Sequence, residues 1–269
     1  MKILQVLHPE KSLLAMAATL VAAFDGEVPR TLPGKARKFR CEAIAASETP
    51  NNISKRSPFA INGPPLFPRS PTLMSLWSSA SPAVWQSNLD QYETVVGQQT
   101  VAKLADLDGW YRNELPDLIK ARAVPHITHA ELVRLTEWKM ARGVWRAPNL
   151  VLVKGNDAQN VTTRSTEALA KIPHPTAPIS TLAKLDGVGP ATASAVAAAY
   201  APHLYAFFDE LVAAEVPTLG KVAWTLGYYA KYAASLRERA EALGAGWTPV
   251  MVERALWAHV GGKLGKDLK

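Results

Sequence analysis

Residues 185–209 read LDGVGPATASAVAAAYAPHLYAFFD. They predict a short helix, a glycine-bounded turn, a second helix and then an aspartate after an apolar pair. Glycine accepts a positive φ and lets another backbone approach closely, which suits Gly187 and Gly189 in a tight turn. Pro190 follows at the first helical position, where the missing N–H costs no hydrogen bond. A helix that begins behind such a turn directs its free N–H groups and the positive end of its dipole at one point, which predicts a phosphate site.

This stretch resembles the helix-hairpin-helix motif of the base-excision DNA glycosylases, the endonuclease III-like superfamily. That motif reads roughly L-P-G-V-G-x-x-T-A and grips the DNA backbone, and a required aspartate follows at the start of the next helix. Asp209 falls at the spacing of that aspartate, whereas Asp186 stands where the family usually has proline. The hairpin positions that match are Leu185, Gly187, Val188, Gly189, Thr192 and Ala193.

The resemblance implies an all-α, glycosylase-like helical domain that binds double-stranded DNA and flips a base out of the duplex. Asp209 would be the catalytic carboxylate. Ala191 occupies the position at which lyase members carry a lysine, so the resemblance implies a monofunctional glycosylase without lyase activity. It also allows a monovalent cation at the hairpin. The residues expected to bind DNA phosphate are Gly187, Val188, Gly189, Ala191 and Thr192.

Two alternatives stay open at this point. The Gly187–Pro190 turn can be an ordinary connection between helices, and Asp209 can be only a helix cap, since aspartate is a favoured N-cap residue. Glu210 and Glu215 follow Asp209 and would oppose DNA phosphate. The alternative function is therefore a catalytically inactive helix-hairpin-helix scaffold used for DNA binding or protein interaction.

A second candidate region, residues 138–146, reads WKMARGVWR and interleaves tryptophan with basic residues. Such a pattern suits stacking on bases and contact with phosphate. The alternative is that Trp138 is a core residue and that the cations reach from the core edge to solvent. Similar stretches accompany the G-V-G-P-A-T-A-S hairpin in a eukaryotic, largely fungal and animal, group of the superfamily, and this resemblance covers about residues 85–260. The candidate nucleic-acid contacts are Lys139, Arg142, Trp145 and Arg146.

Composition sets limits on these interpretations. The chain has 269 residues and a formal net charge of +7, but residues 1–80 carry +5 of it and residues 81–269 only +2. A DNA-binding face must therefore come from local clustering of cations. Cys41 is the single cysteine, so a four-cysteine iron–sulfur cluster is excluded, and the six histidines show no metal-ligand spacing. We expect no metal site, no iron–sulfur cofactor and a monomer.

No run of 18 apolar residues occurs, so no membrane span is expected. A lone thiol fits a reducing compartment, which favours a nuclear or cytoplasmic location. A mitochondrial address stays an alternative, because residues 13–24 form an apolar segment after two lysines. The basic residues between positions 35 and 40 have two interpretations. They belong either to a nuclear localisation signal or an arm that binds phosphate, or to a charged loop exposed to solvent.

We expect an N-terminal arm, residues 1–81, that is poorly ordered in part, and an all-α domain, residues 82–269. Seven prolines lie between Pro50 and Pro82 without helical or strand periodicity. Beyond Pro82 we expect one helix through Leu89–Leu104 and a break at Asp108–Gly109. A helix capped by Thr128 and Glu131 follows, with Leu132, Leu135 and Trp138 on its buried face.

Overall fold

The computed structural model describes residues 75–267, with side chains described as far as residue 264. Most of the expected N-terminal arm, including its basic residues and Cys41, lies outside the described residues. Among residues 75–267 the structure has thirteen α-helices and no strand, which confirms the all-α prediction. The first seven are α1 (Pro82–Asp90), α2 (Tyr92–Gly97), α3 (Leu104–Gly109), α4 (Leu115–Lys120), α5 (His129–Arg142), α6 (Ala147–Lys154) and α7 (Ala158–Leu169). The others are α8 (Ala177–Leu182), α9 (Pro190–Tyr200), α10 (Glu210–Ala214), α11 (Leu226–Leu243), α12 (Pro249–His259) and α13 (Gly262–Asp267).

The predicted helix from Leu89 through Leu104 is wrong, because the chain leaves the helix after Gly97 and re-enters it at Leu104. The predicted break at Asp108–Gly109 is also wrong. A π-helical turn, Trp110–Glu114, joins α3 directly to α4. The buried Asp108 carboxylate accepts hydrogen bonds from Tyr92 Oη and Trp138 Nε1, both at 2.8 Å. Tertiary contacts of this side chain override the local preference of an Asp-Gly pair for a turn.

The capping box at the start of α5 is confirmed. Thr128 Oγ1 accepts the Glu131 N–H at 3.2 Å, and the Glu131 carboxylate accepts the Thr128 N–H at 2.8 Å. The buried face is also confirmed, since Leu132, Leu135 and Trp138 are fully buried. Helix α5 packs against α9. Its last turn and the basic residues that follow it therefore lie close to the start of α9.

Helix α9 is a central, buried helix of the fold. Each residue from Ala191 to Ala199 is buried, and α4, α5 and α8 pack around the helix. Alanine, serine and threonine give α9 a narrow cross-section, so its neighbours approach closely. Residues from the two ends of the described chain pack together as well, because α12 lies against α1, α2 and α11. Leu76, in a 3-10 turn ahead of α1, joins this core and is 2% exposed.

No helix between residues 75 and 267 combines the length and the apolar character that a membrane span requires.

Candidate functional site

The turn between α8 and α9 uses its two glycines for different reasons. Gly187 has φ +73°, and a Cβ there would lie 2.6 Å from the Asn149 carbonyl oxygen and 2.9 Å from Leu152 Cβ. Packing of the turn against α6 therefore requires glycine at 187. Gly189 has φ −97° and is exposed, and a Cβ there would meet nothing within 4 Å. Nothing in the fold itself demands glycine at 189, so its open face is free for a ligand.

The same turn is anchored from both sides. The Asn156 side chain donates to the Asp186 carbonyl at 2.9 Å and accepts the Asp186 N–H at 3.0 Å. Val188 is buried, and its N–H donates to the Leu185 carbonyl at 3.1 Å. Val188 thus uses internally the donor that we expected it to offer to phosphate. Sequence reasoning did not identify Asn156, whose position gives no signal until α6 and the hairpin are placed together.

The start of α9 supplies the remaining predicted phosphate-binding residues. Gly189 is the N-cap and has no side chain that could cap the helix. The N–H groups of Ala191 and Thr192 stand in the first turn of α9, where the helix dipole favours an anion. The Thr192 side chain is buried, and its hydroxyl accepts a hydrogen bond from Lys139 Nζ at 3.2 Å. Phosphate binding here would therefore depend on backbone groups rather than on the threonine hydroxyl.

Asp209 is positioned by the segment that precedes it. The Phe208 N–H donates to Ser194 Oγ of α9 at 2.9 Å, and the Phe207 carbonyl accepts from Tyr232 Oη at 2.7 Å. Asp209 itself caps α10, since its Oδ1 accepts the Leu211 N–H at 2.8 Å. The capping role of Asp209 is therefore present, and it holds the carboxylate in one orientation.

Arg142 is buried and forms an ion pair with Asp209. Its Nε donates to Asp209 Oδ2 at 3.0 Å, its Nη1 donates to Tyr92 Oη at 2.7 Å, and its Nη2 donates to Glu253 Oε1. The Arg142 side chain is 1% exposed. The prediction that Arg142 contacts nucleic acid is thus not supported, because its guanidinium is committed to two carboxylates inside the protein.

Arg142 and Asp209 belong to a larger buried ion cluster, which consists of Asp108, Arg112, Arg142, Asp209 and Glu253. Arg112 Nη2 donates to Glu253 Oε2 at 3.2 Å, so both guanidiniums contact the same carboxylate. Burial raises the pKa of the Glu253 carboxyl, and the two guanidiniums act in the opposite direction. Sequence reasoning missed Glu253, although a carboxylate within the apolar stretch PVMVERALWAH was a usable signal.

A cavity of about 520 Å³ opens beside Asp209. Its volume lies within the range of about 300–1,000 Å³ that is usual for sites of small ligands. The hairpin contributes Gly189, Pro190 and Ala191 to the wall. Three cations whose side chains are at least partly accessible also line it, namely Lys139, Arg146 and Lys263.

Aromatic side chains form another part of the cavity wall. Phe207 and Phe208 are buried, whereas Trp224 is 45% exposed. The Trp224 and Phe208 ring centroids are 4.9 Å apart, which holds the tryptophan against the core. An exposed indole in the wall of this cavity is a surface on which a base can stack.

The tryptophans of residues 138–146 have different positions. Trp138 is fully buried, with its ring stacked on Tyr111 at a centroid distance of 3.6 Å, so the core interpretation holds for it. Trp145 is 56% exposed but does not line the cavity. Lys139, Arg142 and Arg146 do line it. The cavity therefore brings together Asp209, the hairpin and two candidate nucleic-acid contacts with accessible side chains, Lys139 and Arg146, whereas the Arg142 guanidinium in its wall is paired inside the protein.

Comparison of the chain with protein-family models, with curated proteins and with solved structures finds no match in any of the three. Among the described side chains, no group of three His, Cys, Asp or Glu residues is placed to hold a metal ion. The monovalent cation at the hairpin stays a prediction.

Proposed function

We propose that this protein binds duplex DNA and that it is a monofunctional DNA glycosylase, which hydrolyses the N-glycosidic bond of a base flipped into the cavity. The observation that carries the proposal is the open cavity against the Asp209 carboxylate, with the hairpin as one wall. A closed or filled space beside Asp209 would have favoured a role without catalysis.

The charges around the cavity support a nucleotide as its ligand. Lys139, Arg146 and Lys263 provide positive charge, which a polyanionic backbone requires. Gly189 leaves room for close approach of a phosphate to the first N–H groups of α9. Trp224 offers a stacking surface for the extruded base.

Asp209 can act although both of its oxygens already accept hydrogen bonds. A carboxylate has about four acceptor positions; Oδ1 accepts the Leu211 and Val212 N–H groups, whereas Oδ2 accepts only from Arg142 and so retains capacity. The carboxylate can therefore orient a water molecule toward the sugar. It can also stabilise the positive charge that develops on the sugar as the base leaves.

The proposal is tested with an Asp209→Asn variant on duplex oligonucleotides that carry uracil, alkylated purines, oxidised purines or mismatches. Asparagine retains the N-cap, but a neutral amide stabilises a cationic sugar poorly, so we expect excision to fall about 10²–10³-fold. DNA affinity should be retained. Glu210→Gln is the matched control, because it removes the same charge from the next residue of the cavity wall.

A binding test examines the hairpin separately. Gly189→Val should weaken DNA binding at least tenfold without altering the fold, because its side chain would project into open space where a phosphate must approach. Unchanged DNA affinity in this variant would show that the hairpin is only a structural turn.

The second candidate function is a DNA-binding or protein-interaction scaffold without catalysis. The Arg142–Asp209 ion pair favours this alternative, because a carboxylate that is already paired offers less net charge to a cationic sugar. DNA binding by the wild type without excision of any base in the panel would establish the scaffold function. Absence of DNA binding by the wild type would reject the glycosylase and the DNA-binding scaffold, and would leave only the protein-interaction scaffold.

A further inference from the structure

The turn between α12 and α13 brings Lys263 to the wall of the cavity. Gly261 and Gly262 stand at this turn, with φ of +73° and +60°. A Cβ at Gly262 would lie 2.7 Å from Trp257 Cζ2 and 2.8 Å from Gln99 Nε2, so the turn packs closely against both side chains. Glycine is therefore required at 262 by the available space as well as by the backbone conformation.

Gln99 holds this turn from 164 residues earlier in the chain. Its Nε2 donates to the Val95 carbonyl at 2.8 Å and to the Gly261 carbonyl at 3.2 Å. Its Oε1 accepts the Lys263 N–H at 3.0 Å and the Leu264 N–H at 3.3 Å. A glutamine amide has two N–H donors and one oxygen with two lone pairs, so Gln99 uses its whole hydrogen-bonding capacity. It thereby satisfies two N–H groups in the first turn of α13, which have no partner within the helix.

The same turn is linked to Asp209 through the core. Trp257, against which Gly262 packs, is fully buried, and the Arg142 guanidinium carbon lies 4.4 Å from the centroid of the indole ring. Arg142 in turn donates to Asp209 Oδ2. One closely packed set of buried side chains therefore holds both Lys263 and the Asp209 carboxylate on the wall of one cavity.

We propose that Lys263 binds a phosphate that flanks the flipped nucleotide, and that Gln99 is the positioning residue that holds Lys263 in place. This inference rests on the proposed function, because it requires duplex DNA with one nucleotide in the cavity. Within residues 75–264 Lys263 forms no ion pair, so its charge is available to an anion. Only a few bonds separate the phosphate and the sugar of one nucleotide, which suits a cation and a carboxylate fixed in the same cavity wall. The contact is distinct from the hairpin, which offers backbone N–H groups.

Gln99 lowers the entropic cost of this contact. A lysine on an unrestrained chain end would lose backbone as well as side-chain freedom when it binds phosphate. The four hydrogen bonds of Gln99 fix the backbone of the turn before DNA arrives. Loss of the Gln99 amide should therefore weaken DNA binding through Lys263.

The experiment measures binding by fluorescence anisotropy, with the full chain and a duplex that contains one tetrahydrofuran, a stable analogue of the abasic nucleotide. Binding of this analogue needs no excision, so the test does not depend on catalysis. Lys263→Met removes the amine and keeps the apolar stem. Loss of one phosphate contact should lower affinity about 5–10-fold at about 0.1 M salt and reduce the slope of log affinity against log salt by about 1. Lys263→Arg keeps the charge and should retain both values.

The phosphate itself is identified by replacing the phosphates around the analogue, one at a time, with uncharged methylphosphonates. Replacement of one of the two phosphates that flank the analogue should lower the affinity of the wild type. The same replacement should have no effect on Lys263→Met, which already lacks the contact. Equal losses in the wild type and in Lys263→Met at both flanking positions would overturn the proposed contact.

Gln99→Met tests the positioning. We expect the same fall in affinity and slope as for Lys263→Met. The double variant should bind no more than about twofold more weakly than either single variant, because both changes remove one contact. A glutamine with a merely structural role would lower stability and leave the salt slope unchanged. Gln86→Met is the matched control, since Gln86 donates to Asp90 of its own helix at 2.7 Å and does not line the cavity, and it should not alter DNA binding.

The outcomes distinguish this inference from the proposed function. Binding by the wild type, with unchanged affinity and slope in Lys263→Met, would overturn the inference and leave the proposed function standing. Losses that multiply in the double variant would refute the positioning by Gln99. Coupling of Lys263 to a flanking phosphate, without excision of any base in the panel, would support the inference and refute only the hydrolysis. Absence of DNA binding by the wild type would reject the inference together with the glycosylase.

Discussion

The two hairpin glycines should differ sharply in their tolerance of alanine. At Gly187 an added Cβ would lie 2.6 Å from the Asn149 carbonyl oxygen and 2.9 Å from both Leu152 Cβ and Val153 Cγ2. Real Cβ atoms do not approach other heavy atoms so closely, and backbone oxygen cannot rotate away as a side chain can. Gly187→Ala must therefore move the hairpin away from α6.

The expected cost has two parts. An alanine at φ +73° costs about 1–2 kcal/mol relative to its preferred conformations. Insertion of a methyl group into a packed contact adds about 1–3 kcal/mol. We expect a loss of about 3 kcal/mol in the free energy of unfolding, which for a domain of this size lowers Tm by about 6–12 °C.

Gly189→Ala is the control, because its Cβ would meet nothing within 4 Å and its φ of −97° suits any residue. Its free energy of unfolding should stay within about 0.5 kcal/mol of the wild type. Urea titration followed by circular dichroism at 222 nm measures both variants. Equal stabilities of the two variants, whether both low or both unchanged, would refute the assignment of Gly187 to packing and Gly189 to an open face.

Three further changes test other parts of the structure. Arg142→Met leaves buried carboxylates without their cation, so urea denaturation should show a loss of about 3–5 kcal/mol, and a loss below 1 kcal/mol would contradict the buried ion cluster. Thr128→Ala removes the hydroxyl that accepts the Glu131 N–H, and its free energy of unfolding should fall by about 1 kcal/mol, whereas no change would mean that the cap is not formed in solution. Arg146→Ala should weaken DNA binding equally for all sequences and reduce the slope of log affinity against log salt by about 1, as measured by fluorescence anisotropy. Lys231→Ala, an exposed lysine of α11 away from the cavity, should leave that slope unchanged, and an equal effect of both variants would indicate non-specific attraction.

The amino-acid sequence alone predicts those features that depend on neighbours within a few residues. The capping box of Thr128, the buried face of α5 and the all-helical class follow from local spacing, and the structure confirms them. The position of Asp209 as the cap of α10 is local in the same sense. Each depends on contacts two to four residues apart, which a helix fixes without help from the rest of the fold.

Tertiary structure decides the remaining features. Arg142 was expected to face nucleic acid, but it pairs with Asp209, 67 residues away, and with Glu253, 111 residues away. Gly187 and Gly189 look equivalent in the sequence, and only the packing of α6 separates their roles. Lys139 acquires its lowered pKa from burial beside α9 and from Arg146. Periodicity assigns a side chain to a face of its helix, but charge pairing, burial and cavity access depend on which face of another helix lies opposite, and that is settled only when the helices pack.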